Sequence, residues 1–231
     1  MADRKLLRLS ATLLFIGLLV YFVVNFLHPH RENPNNHPAV FAEYAHSAVW
    51  TAVHLGQFVG TAVLLAGLLV LFFALNVSQG TPRWVGFFAA IAAGVALAGV
   101  VYAVDGVTLK QAVDAWVSAP AAEQAARFAS AEAIRWLEWG TRSYYNFMFG
   151  LTLVLFATTI VWTARITRPL GYVMGLIGLA FIVQGWFDGT GGFSATEEFL
   201  GTIAQVSIGV WSIWLLIVVW RRKESVQAAP G

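Results

Sequence analysis

Residues 45–75 read AHSAVWTAVHLGQFVGTAVLLAGLLVLFFAL, a run with no Asp, Glu, Lys or Arg. A helix needs about 20 apolar residues to cross the hydrocarbon core of a bilayer. This run is long enough to cross it and then continue, and it carries two histidines and a glutamine in its first half. Working outward, five further apolar stretches occur at about 6–27, 84–104, 142–162, 170–187 and 199–220. The whole chain is 58% hydrophobic and 11% charged. Soluble domains carry roughly 25% charge, so this composition cannot cover a water-facing surface. The expected fold is all-α: one transmembrane domain over 1–231, an integral six-helix bundle in the membrane. Residues 4–8, with Arg4, Lys5 and Arg8, look like a signal-peptide start. The apolar run behind them is too long for one and lacks a small-residue cleavage site, so a retained first span is expected.

Charge sorts by side. Nine basic residues (Arg4, Lys5, Arg8, Arg83, Arg165, Arg168, Arg221, Arg222 and Lys223) fall on one side of the six stretches, and five on the other. By the positive-inside rule both termini are cytoplasmic. Of the twelve acids, only Asp3 and Glu224 lie on the basic side. Trp84, Trp162 and Trp220 end their stretches as interfacial anchors. The inner connections, about 76–83 and 163–169, are short and make neighbouring helices antiparallel. Outside, 29–38 is rich in Asn and Pro and reads as an irregular loop. The segment 108–139 reads as interfacial helix: Thr108 with Gln111 forms a capping box, Ser118-Ala119-Pro120 breaks the helix, and it restarts through Trp139.

Polar side chains inside a bilayer need partners or a cavity. Projected at 100° per residue, Glu43, His46, Trp50, His54, Gln57 and Thr61 share an arc of about 80°. So do Glu132, Arg135, Trp139, Arg142 and Asn146. Glu198, Gln205 and Ser212 form one stripe, and Gln184 and Asp188 sit four apart. All lie in the outer half, whereas 64–75 and 151–160 are almost purely apolar. An outward-opening polar pocket is therefore expected. Its ligand-binding set is His46, Trp50, His54, Gln57, Glu132, Arg135, Trp139, Arg142, Asn146, Gln184, Asp188, Glu198 and Gln205. Salt bridging, for instance Glu138–Arg142 at i,i+4, is the structural alternative.

No metal and no cofactor are expected. His46 and His54 are eight apart, too far to share one ion, and helical zinc pairs sit at i,i+4. Zinc there would need a carboxylate such as Glu132 or Asp188. A bis-His haem needs two facing helices, and His28, His30 and His37 lie in a loop that reads as solvated, with weak metal binding by His28-Pro29-His30 as the alternative. The absence of Cys excludes thiolate sites and disulfides. The net charge of +2 gives no basic face for nucleic acid. The leading function is to bind, sense or move a small ligand from the outer side. The alternatives are an intramembrane enzyme using His and carboxylates, for proton transfer or metal-assisted hydrolysis, and an assembly subunit without ligand. Gly86–Ala90–Gly94–Ala98 and Gly171–Gly175–Gly178 put small residues on helix faces, for close packing within the bundle or between copies.

The stretches 35–44 (NNHPAVFAEY), 50–58 (WTAVHLGQF), 135–140 (RWLEWG) and 185–189 (GWFDG) resemble an uncharacterised group of bacterial multi-span inner-membrane proteins. The resemblance implies a helical protein of the bacterial inner membrane and carries no catalytic residues with it.

Overall fold

The structure, a computed structural model, describes residues 3–75, 80–96 and 99–221. Arg222, Lys223 and Glu224, and residues 76–79 of the connection 76–83, lie outside the described residues. All regular elements described are helical. They are α1 (Arg4–Asn25), α2 (His37–His46), α3 (Trp50–Ala74), α4 (Thr81–Ala96), α5 (Val100–Ala103), a π-helical turn (Val104–Leu109), α6 (Lys110–Val117), α7 (Gln124–Thr163), α8 (Arg168–Gly191) and α9 (Ala195–Arg221). Helices α1, α3, α7, α8 and α9 are long and apolar enough to cross a membrane. Large apolar side chains such as Phe73, Phe88, Leu176 and Val210 stand exposed around them. A water-soluble monomer does not tolerate such a belt. The chain is a multi-span membrane protein.

The long helices form a ring. Helix α1 packs on α3, α3 on α4, α4 on α7, α7 on α8, α8 on α9, and α9 back on α1. Both ends of the described chain lie at one end of the ring. There the backbone N–H of Asp3 donates to Ala74 O at 3.0 Å, and the Arg8 guanidinium lies 4.8 Å from the Trp220 ring. Asp3 caps α1 by accepting from the N–H groups of Lys5 and Leu6. This half is a packed apolar core that includes Leu14, Leu71, Phe156, Ile160, Met174 and Leu215. Deep within it Trp211 Nε1 donates to Leu170 O and Ser10 Oγ donates to Gly67 O, both at 2.8 Å.

Glycine sets the closest approaches. A Cβ on Gly150 would lie 2.5 Å from Gly178 O and 2.9 Å from Ile182 N. Both are backbone atoms and cannot swing aside. The stripe Gly171–Gly175–Gly178 is thus used inside the chain, against α7. Gly86 faces the Phe72 ring, Gly94 has nothing within 4 Å, and Ala98 lies outside the described residues. Gly150→Val should force α7 and α8 apart and cost about 2 kcal/mol or more. Thermal unfolding in detergent, compared with Gly191→Val at a glycine with open space around it, checks this.

Two expectations are corrected. The apolar run 45–75 is not one helix: α2 ends at His46 and α3 starts at Trp50. Glu43 and His46 therefore belong to a different rod from His54 and Gln57, and projecting them together fails. Thr108 and Gln111 do not open a helix either. Helical winding runs from Val100 to Val117 through the π turn, and Thr108 Oγ1 donates back to Ala103 O. The helix restarting after Pro120 runs without a break into the span expected at 142–162, as the common projection of Glu132 to Asn146 requires: α7 is a 40-residue rod. At 1.5 Å per residue this is about 60 Å, twice the hydrocarbon thickness. At the stretch 84–104, α4 has 16 residues, short of a full crossing on its own. It is followed by Gly99 at φ 82°, a left-handed turn that glycine takes without strain.

Above the ring, α2, α6 and the first turns of α7 form a cap around a second apolar cluster of Val40, Phe41, Tyr44, Trp50, Leu109, Val113 and Ala131.

Candidate functional site

A cavity of about 820 Å³ opens at the end of the ring far from the termini. Its deep wall is apolar, with Leu18, Phe22, Leu64, Phe149, Phe181 and Ile208. Polar groups sit above. Gln57 Nε2 donates to Asn25 Oδ1 at 3.0 Å. Thr61 Oγ1 donates to Gln57 O at 2.7 Å, so the Tyr102 hydroxyl 2.8 Å away must donate to Thr61. The opposite wall holds an ionic cluster. Arg142 Nε lies 3.8 Å from Asp188 Oδ1, and Arg142 Nη2 lies 3.9 Å from Glu197 Oε1. Asn146 Nδ2 donates to Asp188 Oδ2 at 2.7 Å, and Gln184 Nε2 donates to Glu197 Oε1 at 2.7 Å. Gln184 Oε1 is left buried with no protein donor among the described residues. Arg142 remains a third exposed while its two acids are buried, so its guanidinium is accessible from the cavity.

Of the thirteen residues expected around a pocket, Gln57, Arg142, Asn146, Gln184, Glu198 and Gln205 line this cavity. Asp188 stands behind Asn146 and Arg142. His54 reaches the wall through Asp105, its Nε2 lying 2.9 Å from Asp105 Oδ2. The other five are elsewhere. His46 is exposed on α2 and its Nδ1 bonds to Ala42 O. Glu132 bonds to His37 Nδ1 at 2.9 Å. Trp139 packs on His37 and Phe193. Trp50 lies in the cap, fully buried. Arg135 pairs with Glu138, both buried, and not with the cavity. The Glu138–Arg142 bridge is replaced by these two separate pairings.

The sequence reading missed His28, Asp105 and Glu197. His28 is not solvated. Its ring sits 4.9 Å from Trp50 and 5.2 Å from His54, centroid to centroid. Burial pushes this imidazole down to about 4, against an opposing pull from the Asp105 carboxylate, so it is neutral at pH 7. Tyr44, its ring centroid 3.9 Å from that of Trp50, has its hydroxyl pKa raised by burial. Asp105 lies on the π turn, whose approach to α3 is tight: a Cβ on Gly106 would lie 2.4 Å from His54 Cβ. Trp50 Nε1 donates to Asp105 O at 2.9 Å and Thr51 Oγ1 to Gly106 O at 3.0 Å, which pins the turn in place.

Compared with family models, curated proteins and solved structures, the chain finds no match.

Proposed function

We propose that this chain is a six-crossing inner-membrane protein with both termini cytoplasmic, and that its outward-opening cavity binds a small amphiphilic molecule. The observation that carries the reading is the cavity's division into an apolar floor and a polar upper wall. A ligand with an apolar body and a polar or anionic head matches both, with Arg142 and the Gln205 amide nearest the head. The sixth crossing is the apolar stretch 84–104, which holds most of α4. Binding or sensing is favoured over transport because the inner half is packed and apolar and offers no polar route onward.

Two experiments test this. Native mass spectrometry of protein extracted from its own membrane should show a non-covalent adduct. Gln205→Trp, which fills the cavity from α9, should abolish the adduct with little change in melting temperature. The same adduct on both proteins, or none on either, counts against the pocket. Because the chain has no Cys, single cysteines report orientation directly. Asn36→Cys in whole cells should react with an impermeant maleimide, and Thr167→Cys only after lysis. The reverse pattern would invert the topology.

A further inference from the structure

We propose that His28, His54 and Asp105 form a binding site for one divalent transition-metal ion of the zinc and iron class. Three separate elements supply the three ligands: the loop after α1, helix α3 and the π turn. One ligating atom from each lies within 4.8 Å of the others. Around a tetrahedral ion with bonds near 2.1 Å, ligand atoms are about 3.4 Å apart. A closure of roughly an ångström across the set completes the shell. Two imidazoles and a carboxylate suit zinc or ferrous iron and discriminate against magnesium and calcium, which take oxygen.

The rings are already oriented for ligation. His54 Nδ1 bonds to Trp50 O at 2.8 Å, and His28 Nδ1 bonds to Pro29 O at 2.7 Å. A carbonyl only accepts, so each Nδ1 carries the proton and each Nε2 keeps its lone pair. Fixing the tautomer from behind in this way is what outer-shell partners do for histidine ligands. The His54 Nε2–Asp105 Oδ2 contact is then a hydrogen bond only if a second proton is present; a bound cation takes that proton's place. Asp105 Oδ1 is buried and has no hydrogen-bond donor among the described residues. The backbone is also shaped to this end. The π turn, a winding frequent at functional sites, lays Asp105 over α3, and Gly106 is the residue type that permits the approach to His54. His28 and Asp105 both border the cavity, so an ion can enter from its mouth. The site does not depend on the amphiphile: the ion can bind with the rest of the cavity empty.

The test uses full-length protein purified through a tag without histidine, stripped with chelator, and titrated with zinc(II) in competition with a chromophoric chelator. Wild type should bind one equivalent at micromolar affinity or tighter. His28→Gln and Asp105→Asn should each weaken this at least 100-fold, while His46→Ala on the exposed face of α2 should change it less than twofold. Magnesium at millimolar concentration should not compete. Cobalt(II) loaded into wild type should give the intense visible d–d bands of a four- or five-coordinate N/O site, a readout independent of whether any variant folds. No stoichiometric zinc in wild type, a cobalt spectrum unchanged from that of the aqueous ion, or affinity unmoved by His28→Gln and Asp105→Asn in folded protein would each overturn the site. The triad would then be a histidine–aspartate ion pair. Loss of the adduct in Gln205→Trp with zinc binding intact separates the two proposals.

Discussion

Arg135→Leu should destabilise the folded protein by about 3–5 kcal/mol, because it leaves Glu138 as an uncompensated buried charge. Arg135 and Glu138 are 2% and 1% exposed and pair directly, three residues apart on α7. The guanidinium also donates to Pro34 O and to the Tyr44 hydroxyl, both at 3.3 Å, and lies 4.6 Å from the Phe193 ring. It thus ties α7 to the loop before α2, to α2 and to the turn between α8 and α9. The double variant Arg135→Met/Glu138→Leu should recover most of the loss, since it removes both charges at once. Arg127→Leu, which breaks an exposed pair with Glu123, should cost at most about 1 kcal/mol. Melting temperatures and denaturant unfolding in detergent decide this. If the two arginine variants are equally stable, the buried pair is not a structural tie.

Trp50→Ala should cost about 3–5 kcal/mol as well, the usual range for deleting a buried Trp. Trp50 is wholly buried, packs its ring against those of Tyr44, His28 and His54, and holds the π turn through its indole N–H. The cavity left behind would release the 28–36 loop, so trypsin should cut at exposed Arg31 faster in the variant. Trp50→Phe keeps a ring and loses the Asp105 O hydrogen bond, for a cost nearer 1 kcal/mol. Equal proteolysis of all three forms would show that the loop is held by something else.

The membrane character and the polar band were legible because hydrocarbon selects so strongly by composition. Pro120 also worked as read, since α6 ends at Val117 and α7 starts at Gln124. What failed was local winding without a local signature. The break at 47–49 contains no Gly or Pro and sits in an apolar run, so only the packing of Trp50 between Tyr44 and His54 reveals it. Thr108 and Gln111 match a capping pattern by spacing alone, and a π turn leaves no periodic trace. His28 follows an apolar span and precedes Pro29, which reads as the start of solvent; its burial comes from rings 16–26 residues further on. Asp105 follows the apolar stretch 84–104, and no spacing in the sequence links it to His54. Glu197 and Glu198 are adjacent, and the stripe with Gln205 selected the second while Gln184 and Arg142 engage the first.

The 40 residues of α7 are wound without interruption from the cap to the opposite end of the ring. The rod that presents Asn146 to the cavity therefore has no joint to absorb a tilt. Asn146 and Gln124 are about 33 Å apart along it at 1.5 Å per residue, so a rotation of about 5° about Asn146 swings the far end by about 3 Å. Helix α7 is thus a lever, with its fulcrum beside the chamber and its long arm outside.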